Sequence, residues 1–147
     1  MTTQTPLNDW SAADLARGIR TREVSAVEVM RAHLGRIEEC NGSLNAMVAM
    51  VPESRALAAA EDADRAVARG DAVGILHGLP TGVKDLMDAE GLPTTHGMAA
   101  HAGARPATSD SFIVRRVKQA GAIVVGKTNT PEVGLGTLTF TDHHGVG

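Results

Sequence analysis

Gly78-Leu79-Pro80-Thr81-Gly82-Val83-Lys84-Asp85-Leu86 is the stretch on which the fold turns. It sets a lysine inside an apolar run, and the glycines and proline around it prescribe the backbone path narrowly. Two readings follow. In one, the segment is a strand whose end lets Lys84 reach solvent, the ordinary outcome for a lysine, and composition favours it. In the other, the lysine is held where it loses hydration, which favours the uncharged amine and equips it to act as a base. Asp85 and Asp88 are near enough in the chain to pair with Lys84, and such a pair would hold its charge and support the first reading.

Around this stretch, residues 73–98 read as strand and loop. Glycine and proline recur at Gly74, Gly91, Pro93 and Gly97, but the apolar content is too regular for a flexible linker. A helix is expected over 109–120, capped by Ser109 or Asp110, with Ile113, Val117 and Ala120 facing inward and Gly121 ending it. Ala122-Ile123-Val124-Val125 then reads as a buried strand, and after Gly126 the chain turns irregular. A helix leading directly into a β-branched strand indicates an α/β arrangement.

The first third is helical. Ser11 and Asp14 have capping-box spacing ahead of Leu15 and Ile19, and Thr21-Arg22-Glu23-Val24 breaks that helix. Ser25 and Glu28 form a regular capping box. It opens a helix with an apolar stripe of Val27, Met30, Leu34 and Ile37, joined by Val29 and ended by Asn41-Gly42. Residues 44–51 read as a short strand. Pro52 starts an alanine-rich helix that runs to Arg69 with Gly70 as its cap, and the charges on that helix read as a solvated face.

The 147 residues amount to one domain, and 43 % hydrophobic content is enough for a core. A net charge of −3 with dispersed signs gives no basic stripe for nucleic acid. No apolar run is long enough to span a membrane. Met1 to Pro6 carries neither a basic nor an apolar leader region. Cys40 is the only cysteine, so no internal disulfide forms, which fits a reducing cytoplasm.

Gly121-Ala122-Ile123-Val124-Val125-Gly126-Lys127-Thr128 matches the phosphate-loop pattern letter for letter. That loop must follow a strand, wrap amides around phosphates and open a helix. Here the intervening residues are themselves the strand, and Asn129-Thr130-Pro131 does not continue as a helix, so nucleotide binding is rejected. The six histidines show no metal-ligand spacing, and adjacent His143 and His144 should point apart on a strand or helix. No metal and no cofactor are expected. No serine sits in a nucleophile elbow.

Together, the Gly78–Leu86 stretch, Gly91-Leu92-Pro93-Thr94-Thr95-His96-Gly97, Asp110, Val114, Arg115 and the run from Ala120 to Asn129 with Pro131-Glu132 resemble the amidase signature family. Ser25-Ala26-Val27-Glu28 and Arg36-Ile37-Glu38 look like that family's opening, including the A subunit of the tRNA amidotransferases. The resemblance implies the amino-terminal helices and first strands of a mixed-sheet α/β fold, incomplete here. Residues 1–147 would then be the amino-terminal part of a single amidase domain. It implies hydrolysis of a small amide by a Ser–Ser–Lys triad in which Lys84 is the base. Asp85, Asn129 and Glu132 would belong to a supporting loop, and bracing is favoured over substrate contact for the last two. The family's Gly/Ser-rich segment, with both serines and the oxyanion hole, has no counterpart here, so the chain alone is expected to be inactive. The alternatives are the ammonia-generating A subunit of an amidotransferase and a non-catalytic remnant that acts by binding protein; the intact lysine motif favours the amidase reading, and a homodimer or amidotransferase subunits are the partners the resemblance implies.

Overall fold

The computed structural model describes residues 5–147; residues 1–4, part of the stretch read for a leader, lie outside that description. The chain forms two compact units. The first gathers residues up to Glu39, Pro52–Pro80 and Val117–Ile123, and the second gathers Cys40–Val51, Thr81–Arg116 and Val124–Gly147.

Helix α1 (Ala12–Thr21) starts where Ser11 accepts the Asp14 N–H and ends at Arg22 in left-handed geometry, as expected. Helix α2 (Ala26–Leu44) opens on the expected box, with Ser25 N–H donating to Glu28 and Glu28 N–H to Ser25 Oγ. Asp64 of α3 (Glu53–Arg69) adds to that start by accepting the Ala26 N–H at 2.6 Å and the Val27 N–H at 3.2 Å. A carboxylate at a helix amino terminus satisfies orphan donors and complements the dipole. Arg22 donates to Val67 O and Ala68 O and so closes the other end of α3, while Gly70 caps it in left-handed geometry. Leu15, Ile19, Ala26, Val29, Met30, Ala56 and Ala60 are buried in this unit. The alanines of α3 and Gly78 permit close approach, since a Cβ on Gly78 would lie 2.9 Å from Ala26 Cβ.

Helix α2 does not stop at Asn41-Gly42. It runs on to Leu44, and the reversal falls at Asn45, with φ 48°. Gly42 has open space around it, so nothing forces a break there. The Asn41 amide instead clips the chain beyond the helix by exchanging two hydrogen bonds with the Met47 backbone.

The second unit is built on a three-stranded sheet of order β1 (Met47–Met50), β3 (Ile123–Thr128), β2 (Pro80–Lys84). β1 and β3 are antiparallel, with Met50 opposite Gly126 and an irregularity between Met47 and Ala49. β2 and β3 run the same way, because Ile123 N–H reaches Leu79 O and Asp85 N–H reaches Thr128 O. Helix α4 (Phe112–Gln119) is the crossover between them. Val83, Ala89, Leu92 and Val114 form the buried cluster.

Helix α4 begins after both expected caps, and the Asp110 carboxylate accepts the Glu90 N–H. Its inward residue is Val114, 1 % exposed, whereas Ile113 is 55 % exposed. β3 also outlasts its expected end. Gly126 is a mid-strand residue whose missing Cβ leaves room for Ala49 O, 2.3 Å from where that atom would sit. Phe140–Thr141 and Gly145–Val146 pair as a small hairpin, β4 and β5, so the chain after Thr139 is structured.

Candidate functional site

Lys84 is the last residue of β2 and Asp85 is the first residue past it, its N–H still bonded to Thr128 O of β3, so the alternation of the strand carries on and the two side chains go to opposite sides. Lys84 is exposed and Asp85 is 1 % exposed. The strand-end reading therefore describes Lys84 in this structure, and the dehydrated lysine is a different one. Asp85 does not pair with Lys84. Its Oδ1 lies 3.1 Å from Nζ of Lys127, which is fully buried on β3.

Lys127 donates to Asp85, to Pro93 O at 3.1 Å and to Thr94 Oγ1 at 2.8 Å, a full set for an ammonium. Asp85 in turn accepts the Thr95 N–H and the Thr95 hydroxyl. Burial alone pushes the Asp85 carboxyl up, but the Thr95 hydrogen bonds and the Lys127 charge outweigh it and hold the group below the ordinary value of 3.8. The phosphate-loop lysine of the pattern match is thus locked in a structural ion pair on a strand, as the rejection of nucleotide binding requires.

His144, in the hairpin turn, completes this cluster. The single proton of the Thr95 hydroxyl goes to Asp85, so His144 Nε2 carries a proton and donates to Thr95 Oγ1 at 3.0 Å. Burial and the neighbouring His143 hold His144 below its ordinary value of 6.5, and Asp85 opposes them only in part. The His143 and His144 rings lie 4.0 Å apart rather than pointing away from each other, because a turn has neither helix nor strand periodicity. Among the described residues, no group of three potential ligands could hold a metal ion, and no helix is long and apolar enough to cross a membrane.

Lys84 Nζ stands over Gly134, 3.8 Å from where a Cβ of that residue would be. Gly134 follows Val133, a β-branched residue at φ 54°, and Val133 N–H donates to the carbonyl of His96, itself at φ 56°. Two non-glycine residues in this region are costly and need surrounding structure to hold them. Asn129 spans the loop below, donating to Asn45 O at 3.1 Å and accepting the Thr130 N–H. Glu132 is exposed and lines a groove of about 320 Å³ with Leu135, Leu138 and Phe140. Lys127, Thr95 and His144 are the members that sequence reasoning did not assign. For Lys127 a signal existed: a charge inside an apolar strand requires a buried partner.

The Amidase family model matches residues 28–146. The chain is 43 % identical over 141 residues to an indoleacetamide hydrolase of Bradyrhizobium diazoefficiens, a match covering 96 % of this chain and 26 % of that protein. It is 43 % identical over 135 residues to the GatA-type component of the glutamyl-tRNA(Gln) amidotransferase of Salinispora tropica, covering 92 % of this chain and 27 % of the relative. The peptide amidase structure from Stenotrophomonas maltophilia superposes with a TM-score of 0.82 at 32 % identity, over 95 % of this chain and 30 % of that one. The expected mixed α/β fold of that group therefore holds, and the chain spans under a third of the length of these relatives.

Proposed function

Since the chain belongs to the amidase family, we propose that it carries the lysine base of an amide-hydrolysing centre and that this lysine is Lys84. The observation that supports this most is the contrast between the two strand-end lysines. Lys127 is saturated with acceptors and buried, so it has no proton-transfer role open to it, whereas Lys84 projects from an anchored backbone with its amine accessible.

In this reading the uncharged Lys84 amine takes the proton of a nucleophilic serine through a bridging serine. The serine oxygen bonds to the amide carbon, and backbone N–H groups hold the oxyanion. The proton returns by the same route to the leaving nitrogen as the C–N bond breaks. Water then splits the acyl–serine ester to release the acid. On this reading both serines and the oxyanion donors are supplied from outside these 147 residues, as the family resemblance implies. Asp85, Asn129 and Glu132 support the loop, and the two hydrogen bonds at Asn129 favour bracing over substrate contact for that residue.

The substrate is a small amide, and the site is that of a hydrolase or of an ammonia-releasing amidotransferase component. The exposed cluster of Val133, Leu135, Leu138 and Phe140 favours a second reading, in which the chain acts by binding another protein. Fluorophosphonate labelling separates the two from an autonomous hydrolase. The 147-residue chain is expected to take up no label and to hydrolyse no amide, and stoichiometric labelling of a serine overturns the proposal that the nucleophile lies elsewhere.

A further inference from the structure

The residue that follows Lys84 uses every polar atom it has. Asp85 N–H donates to Thr128 O at 3.0 Å, Asp85 O accepts from His96 N–H at 3.0 Å, and the carboxylate takes Thr95 on one side and Lys127 on the other. Through Lys127 the same carboxylate is tied to Pro93 and Thr94, and through Thr95 Oγ1 to the Gly97 N–H. His96 O then accepts the Val133 N–H, and Val133 precedes Gly134, the residue beneath Lys84 Nζ. The buried cluster is thus a clamp closed around Asp85, the next residue after Lys84, from β3 and from the 93–97 loop, while the Lys84 side chain stays exposed.

We propose that Lys127 and Thr95, acting through Asp85, are positioning residues for Lys84: they fix where its amine stands over Gly134 without touching it or the substrate. This rests on the reading of Lys84 as the base. It assigns the ion pair a function beyond holding the sheet, because a purely structural pair would stabilise the unit without deciding the placement of one exposed side chain. A base must be held within a fraction of an ångström of its productive geometry, and the groups around it supply that precision.

The test reads the place of the amine directly. The chain has three lysines, Lys84, Lys118 and Lys127, and the last is fully buried. Reductive ¹³C-methylation of the folded chain therefore labels Lys84, Lys118 and the α-amine, and Lys84→Arg assigns the Lys84 signal. The expected signature is a nuclear Overhauser effect between the Lys84 methyls and the Gly134 α-protons. Thr95→Val, which keeps shape and loses the hydroxyl, should abolish it, and Thr95→Ser should restore it. Val114→Ala, which thins the core of the same unit, should lower stability and leave the effect in place. Retention of the effect at full strength in folded Thr95→Val overturns the proposal, as does equal loss in Val114→Ala.

Amide hydrogen exchange on the unaltered chain tests the clamp without any variant. The Asp85 and His96 N–H groups should be among the slowest between residues 81 and 134, and exchange at the rate of exposed loop amides refutes it. These readouts do not depend on hydrolysis, so a failure of Lys84 as the base and a failure of the clamp are seen separately.

Discussion

Replacing Lys127 by Met removes the cation from a pair whose members are 0 % and 1 % exposed, while keeping most of the side-chain volume. Three acceptors lose the Lys127 donor: Pro93 O, Thr94 Oγ1 and Asp85 Oδ1, the last of which keeps the Thr95 N–H. The carboxylate keeps Thr95 but has no counter-charge in a place water does not reach. Breaking a buried pair from one side costs about 3–5 kcal/mol, because the remaining charge stays desolvated. That is a large part of the ~5–15 kcal/mol that holds a domain folded. At about 2–4 °C per kcal/mol for a chain of this size, the midpoint of thermal unfolding should drop by roughly 10 °C. A temperature scan followed by circular dichroism measures that midpoint and urea unfolding the free-energy cost, and adding Asp85→Asn to Lys127→Met should recover part of the loss by neutralising the stranded charge. A cost below about 1 kcal/mol for Lys127→Met is what an exposed pair gives, and it would refute the assignment of Lys127 and Asp85 to a dehydrated clamp.

Acid should weaken the fold in two steps. His144 sits below its ordinary 6.5, so between that value and its folded-state value the unfolded chain binds more protons, and stability falls as pH drops below about 6.5. Asp85 is held below 3.8, so its contribution is complete above that value and fades as pH falls further. His144→Gln should flatten the upper step in a plot of urea midpoint against pH and leave the lower one; an unchanged upper step means that another group is responsible. Gly126→Ala should cost about 1–3 kcal/mol by forcing β1 from β3, since its Cβ would stand 2.3 Å from Ala49 O. Gly35→Ala, in open space within α2, should stabilise by about 0.5–1 kcal/mol, and the two midpoints moving the same way would contradict the packing described.

What could be read from the sequence was local. Ser11 with Asp14, Ser25 with Glu28, and Gly70 satisfy helix ends through neighbours within four residues, and each stands as read. The β-branched run after Gly121 was enough to exclude a phosphate loop, because an extended segment cannot curl its amides inward. Asn41-Gly42 carries the same local signal as a true stop, but Asn41 spends its amide on Met47 and the helix passes through. Ile113 and Val114 are one position apart on a short helix, and only the sheet that α4 covers decides which one is buried. The clamp was illegible for a similar reason. Its members come from residues 85, 93–95, 127 and 144, and their proximity exists only after β2 and β3 pair and the hairpin turns back. Lys84 drew attention by its setting, yet the structure gives the burial expected there to Lys127.

Whether Lys84 is the base is tested most sharply by a hybrid enzyme. This chain replaces the corresponding amino-terminal segment of an active amidase relative, which supplies the serines and the oxyanion donors, and amide hydrolysis is measured for the hybrid and for its Lys84→Met form. The expected outcome is a hydrolytically active hybrid whose kcat/KM falls by about 10²–10⁴-fold on Lys84→Met, the usual contribution of a positioned acid–base group. An active hybrid that keeps its rate within a few-fold after Lys84→Met would contradict the assignment.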